Sequence, residues 1–136
     1  MNNEDFKKIV KNELTSVGFI YKNQNYYYST EDIITVIGIQ KSNFSDGWYI
    51  NFWFYVKAIH NDNNEYPKPQ ECDMFGRFAN PNPTTPGAPF NQLLSQDEVE
   101  AAIKYDMDNK INPVIENGIE EYFRLFPTTV NGAKKS

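Results

Sequence analysis

Cysteine is almost missing from this chain. Cys72 stands alone, so no intrachain disulfide can form. Histidine is equally scarce: His60 is the only one, and with a single distant thiol it cannot build a histidine–cysteine zinc cluster. His60 reads as a surface-loop residue, and Cys72 as a small buried hydrophobe with no basic neighbour to activate its thiol. Cations are in the minority. The 13 Lys and Arg face 18 Asp and Glu, leaving a net charge of -5. That argues against nucleic-acid binding, which needs a basic surface, and suits a basic protein partner. No apolar run approaches the roughly 20 residues of a membrane span. The opening MNNEDFKKIVKNE is charged and lacks a signal-type apolar stretch, so the expectation is a soluble cytoplasmic protein away from membranes. The 7 glycines are scattered, and no EF-hand, P-loop, dinucleotide fingerprint, HExxH or GxSxG motif occurs. The expectation is therefore no enzyme, no cofactor and no metal.

Aromatic residues are abundant instead. With 10 Phe, 9 Tyr and 2 Trp in 136 residues, the chain has enough apolar bulk for one domain spanning 1–136. Its organising stretch is Ile33 to Val56, two long strands joined by the polar turn Ser42–Gly47. Side chains alternate along a strand, so Trp48, Ile50, Phe52, Phe54 and Val56 share an apolar face. Tyr49, Asn51, Trp53, Tyr55 and Lys57 share the other, where large rings carry polar tips. In the preceding strand both Ile33, Thr35, Ile37 and Ile39 and the opposite set Ile34, Val36 and Gly38 are mainly apolar until Gln40. This predicts a central strand covered, at least partly, on both faces.

Around this hairpin, Asn3 to Val17 carries Phe6, Ile9, Val10, Leu14 and Val17 at helical spacing, with Asn2 or Asn3 as cap and Gly18 as stop. Phe19–Lys22 and Tyr26–Ser29 read as two further strands around an Asn23–Asn25 turn, completing a four-strand antiparallel meander. Ala58 and Ile59 are candidates to prolong the last strand. From Tyr66 to Phe90, six prolines exclude helix and central strand. Cys72 to Ala79 is a candidate edge strand within this Pro-rich loop, and the rest reads as a cover or flap over the sheet. Ser95–Gln96–Asp97–Glu98 is a capping box that starts a helix. Val99, Ile103, Met107 and Ile111 form its core stripe. Pro113 then suits the first turn of a new helix capped by Asn112, running to Phe126 before Pro127. Gly118 inside that pattern marks a close approach to a neighbour, and residues 128–136 read as a frayed tail. The fold class is α+β: a mostly antiparallel sheet of four to five strands, with an N-terminal helix and C-terminal helices on one face.

Candidate sites follow from the surfaces. Asp97, Glu100, Asp106 and Asp108 alternate around a helix and read as its solvated side rather than a cation site. The acid-rich C-terminal helices, including Glu98, Glu116, Glu120 and Glu121, could attract a basic protein. The aromatic face of Tyr49, Asn51, Trp53 and Tyr55, joined by Tyr27, is the stronger binding candidate, since Tyr and Trp bury area and keep a polar tip for a partner. Covered by the Pro-rich segment, the same face becomes a second core layer.

Gly18–Phe19, the strand end Gln40–Lys41–Ser42 and the strand start Tyr49–Ile50–Asn51–Phe52 resemble a bacterial family catalogued as domain of unknown function 4304. The likeness covers residues 6 to 56, more weakly 95 to 126 including Pro113, and leaves the Pro-rich segment unplaced. It implies an α+β domain with no established catalysis and adds Gln40, Lys41 and Ser42 to the binding candidates. Their plainer role is to close a strand and shape its turn. By analogy of class, the resemblance points to a protein-binding module, with an immunity-like role in a bacterial toxin system as one form. The alternative is a small-molecule-binding domain with the Pro-rich segment as lid over the aromatic face. Nothing in the pattern fixes an oligomeric state.

Overall fold

A computed structural model of the chain describes residues 1–60 and 63–125. The first helix, α1 (Asn3–Ser16), starts where Asn2 accepts the Asp5 amide on its side chain at 2.8 Å. It buries Phe6, Ile9, Val10 and Leu14. Its end is set by Gly18, whose φ of 98° places it in the left-handed region. The Gly18 amide donates to the Thr15 carbonyl and the Phe19 amide to Leu14, the paired bonds of a Schellman motif. Phe19 thereby enters the core beside Leu14.

Five strands follow, β1 (Ile20–Lys22), β2 (Asn25–Ser29), β3 (Ile33–Lys41), β4 (Trp48–Val56) and β5 (Met74–Arg77). They form one antiparallel sheet in sequence order. Asn23 and Gln24, at φ 53° and 70°, make the two-residue turn between β1 and β2, a geometry that matches the strand twist. The β3–β4 register pairs Ile33 with Val56 and Lys41 with Trp48, so the central hairpin is paired along its whole length. Strand β4 stops at Val56. Ala58 and Ile59, expected to prolong it, turn away in a short 3-10 helix, Lys57–Ile59.

The Pro-rich segment does two different jobs. Residues 63–73 cross the sheet face opposite the helices, and β5 then pairs with β4 as the expected edge strand. Beyond it, Phe78 and Phe90 turn into the main core, and the Phe90 backbone exchanges two hydrogen bonds with Trp48 at 2.7 and 2.8 Å. The segment is thus only in part a cover for the aromatic face.

Helix α2 (Gln96–Asp106) begins at the Ser95 capping box, with Ser95 Oγ accepting the Glu98 amide and Glu98 accepting the Ser95 amide. Val99, Ile103, Met107 and Ile111 are buried, as their spacing predicts. Pro113 lies in the first turn of a helical segment, as expected, but Asn112 does not cap it. The chain passes from α2 through a π-helical turn, Met107–Ile111, directly into α3 (Asn112–Asn117). Asn112 is itself helical, and its amide donates to Met107, five residues back. Widening the ladder by one residue lets the helix absorb a proline that has no amide to donate. Gly118 is a break rather than a close approach: its φ of 86° separates α3 from α4 (Ile119–Leu125), and a Cβ there would meet nothing within 4 Å. Phe126, Pro127 and the expected tail lie outside the described residues.

The helices pack on the face of the sheet that carries Trp48, Ile50, Phe52 and Phe54, which are all buried. Trp48 stacks on Phe6 at 4.7 Å and donates its indole N–H to Asn3 Oδ1 at 2.7 Å. Side chains so completely buried each contribute about 1.5–3 kcal/mol. The C-terminal helical region also seals the outer rim of β5. Tyr122 donates to the Phe75 carbonyl at 3.2 Å, Lys110 Nζ to the Arg77 carbonyl at 3.3 Å, and Asp106 accepts the Ala79 amide at 2.6 Å. Asp106, expected on a solvated helix side, is 1% exposed and pairs with Lys110 at 3.3 Å. Its task is to satisfy backbone that β4 cannot reach.

Candidate functional site

The second sheet face collects the predicted aromatic residues, and strand register decides which of them meet. Ile34 pairs with Tyr55, Val36 with Trp53, Gly38 with Asn51 and Gln40 with Tyr49. On the flanks, Tyr27 pairs with Val36, Phe75 with Trp53 and Arg77 with Asn51. The face divides into a covered end and a half-open end.

At the covered end, Tyr27, Ile34, Val36 and Tyr55 form a small second core, packed by Trp53, Tyr66 and Cys72. Tyr27 donates its hydroxyl to the Pro67 carbonyl at 3.1 Å and meets the Tyr66 ring edge-on at 5.2 Å. Lys22 lies over the other ring of that pair, 4.0 Å from the Tyr66 centroid. His60 is a tether, not the free loop residue expected. Its ring stacks on Tyr55 at 4.0 Å, and Nε2 lies 3.0 Å from both Asp73 carboxylate oxygens. Asp73 in turn accepts the Val56 amide, so His60 and Asp73 are fastened together against β4. Burial pushes the Cys72 thiol up to about 12, with Asp73 and Glu71 adding to the effect, and the Tyr27 hydroxyl is raised mainly for the same reason. A thiol so held is protonated at neutral pH and is no nucleophile. Beside the segment lies a groove, open to solvent, of about 630 Å³ lined by Tyr27, Tyr55, Tyr66, Ile20, Ile34 and Lys57, among others.

At the half-open end, Arg77 organises the surface. Its Nε donates to Asn51 Oδ1 at 2.8 Å and its Nη2 to Gln40 Oε1 at 3.1 Å. Asn51 also donates to Gln40 at 2.9 Å, closing a triangle of three side chains. The guanidinium sits 4.1 Å from the Tyr49 ring centroid. Beside it, Trp53 and Phe75 lie 5.8 Å apart, Trp53 half-buried and Phe75 52% exposed. Gly38 leaves room for this arrangement: a Cβ there would stand 2.5 Å from Asn25 Oδ1 and 3.4 Å from the Trp53 ring.

Of the eight predicted binding residues, Gln40, Tyr49, Asn51 and Trp53 come together at this end, and Tyr27 and Tyr55 lie under the crossing segment. Lys41 and Ser42 belong to neither group. Lys41 Nζ donates to the Ser45 carbonyl at 3.2 Å, and the buried Ser42 accepts the Phe44 amide on its hydroxyl, so both shape the β3–β4 turn. Arg77 and Phe75 escape a sequence reading. Their one signal is the alternation Phe75–Gly76–Arg77, which sets both on one face once a strand is assumed.

Among the described residues, no group of three or more His, Cys, Asp or Glu is arranged to hold a metal ion, and no helix is long and apolar enough to cross a membrane. The molecule is an α+β protein: a five-stranded antiparallel meander with helices on one face and a crossing segment on the other. A family model matches residues 10–117, and the chain belongs to that family, described as "Domain of unknown function (DUF4304)". The match runs through the Pro-rich segment as well as the hairpins and the capped helix. No significant similarity to a curated protein or to a solved structure was found.

Proposed function

We propose that the chain is a non-enzymatic protein-binding module that docks its partner on the half-open end of the second sheet face. The carrying observation is the composition and fixing of that patch. Tyr49, Trp53 and Arg77, the residue types that dominate binding hot spots, stand side by side, and the Arg77 side chain is already immobilised by Gln40 and Asn51. Preorganisation of that kind lowers the ordering cost of association. An immunity-like role, in which a small acidic protein occludes a toxin, is one form of this function. The exposed acids of α2 and α4 give such a protein a second surface for a basic partner.

Affinity capture from host lysate tests this reading, comparing wild type with Tyr49→Ala/Trp53→Ala after both are shown to melt cooperatively. A specific protein held by wild type and lost from the double variant is the expected result. Retention by both variants equally would move the contact off the sheet. The open groove beside the crossing segment favours a second reading, a small-molecule site, because about 630 Å³ with three tyrosines in its lining is of ligand size. A thermal-shift screen in which a compound stabilises wild type but not Tyr27→Ala would support it.

A further inference from the structure

The fold treats its two arginines differently, and Arg124 is the one that pairs with an acid, Glu121. Arg77 is exposed, yet among the described residues it has no carboxylate within ion-pair distance. Both of its fixed hydrogen bonds go to the neutral amides of Gln40 and Asn51. Lys7, Lys8, Lys11, Lys22, Lys41, Lys57 and Lys68 likewise lack an acid partner among the described residues, but Arg77 alone of these offers a planar fork. A guanidinium carries five N–H donors, and two are used here, leaving three on an exposed group whose plane is already set. Planar donors held in this way match a carboxylate, which can accept two parallel bonds at once. The surroundings are apolar on both sides: the Tyr49 ring lies 4.1 Å from the guanidinium carbon, and Phe75, 5.8 Å from it, is half exposed next to Trp53.

Building on the binding-module reading, we propose that the half-open end of the sheet receives an acidic segment of a partner protein. Arg77 takes an Asp or Glu carboxylate, and Tyr49, Trp53 and Phe75 take the apolar residues beside it. The acids of the outer helices invite a basic partner, whereas this patch selects the opposite sign. A single guanidinium at this end of the sheet, on a molecule of net charge -5, suits one carboxylate better than a run of phosphates.

Panning a random-peptide display library on the full chain, wild type and Arg77→Gln in parallel, tests this. Peptides selected by wild type should share an Asp or Glu next to an aromatic or aliphatic residue. Changing that acid to its amide should weaken binding about tenfold or more, and Arg77→Gln should weaken the unaltered peptide by a similar factor. Combining the two changes should cost little more than either alone, the signature of direct coupling. Arg77→Lys, which keeps the charge and loses the fork, should recover only part of the affinity. The acid-to-amide change in the peptide needs no protein variant, so the test survives if Arg77→Gln folds poorly. Peptides that need Tyr49 and Trp53 but ignore both the acid and Arg77 would overturn the proposal and leave the binding-module reading standing. Peptides indifferent to all three residues, or no selected peptide, would overturn both.

Discussion

Gly76 shows how tightly single positions are held. It faces Phe52 across the β4–β5 pair, and a Cβ there would stand 2.2 Å from the Phe52 ring. The ring is fully buried and cannot retreat, so Gly76→Ala should cost about 1–3 kcal/mol in urea denaturation, the usual range for overpacking. Gly38 differs, because its nearest obstacle is the end of the Asn25 side chain. Gly38→Ala should therefore cost clearly less than Gly76→Ala in the same measurement. Cys72 makes a pH prediction. Its thiol is raised by burial from about 9 to about 12, so the folded chain keeps the proton where the unfolded chain releases it. Between pH 9 and 12 the unfolded state binds fewer protons, so stability falls as pH rises. Tyr26, also raised to about 12 mainly by burial, acts in the same direction above pH 10. Melting temperature should thus drop across pH 9 to 11, and Cys72→Ala should flatten the first part of that drop. A thiol reagent at pH 7.5 should label native Cys72 far more slowly than the unfolded chain.

Among the elements, the unbroken run from α2 to α3 is the most informative. Asp106 sits where α2 gives way to the π turn, and it serves both the Ala79 amide and Lys110. Asp106→Ala should destabilise by about 2–3 kcal/mol, since it strands a backbone donor and half-uncovers a cation, whereas the isosteric Asn should recover part of the loss. The helical periodicity of Val99, Ile103, Met107 and Ile111 was readable, as were the Ser95 cap and the alternation in β3 and β4. Each is a local signal that tertiary packing only confirms. The place of Pro113 in a first helical turn was legible, but the join to α2 was not, because a proline looks the same whether its helix stands apart or follows a widened turn; the difference lies in the Asn112–Met107 bond. Gly118 misleads, since its positive φ follows from chain direction and leaves no mark in composition. The candidate site was half legible for the same reason. Alternation places Tyr49, Asn51 and Trp53 on one face, but Arg77 joins them only through the β4–β5 register, and His60 meets Tyr55 across the 3-10 turn that follows β4.

At the scale of the molecule, the sheet has two unlike faces and two unlike rims. One face is consumed by the helices, and the other is shared between the crossing segment and the patch around Arg77. The rims matter for how copies of the chain could associate. That of β5 is occupied by Tyr122, Lys110 and Asp106, while among the described residues no side chain caps the short β1. In the language of polymers, the described residues make a monofunctional unit, with one joinable end. Two copies could meet rim to rim at β1, but such a pair would present only closed ends, and growth would stop there. Strand-mediated association should therefore yield nothing above a dimer across a concentration series in sedimentation velocity. The same three side chains that complete the hydrogen bonding of one short strand would act as chain terminators, keeping a protein built around an aromatic β-hairpin from propagating into fibres.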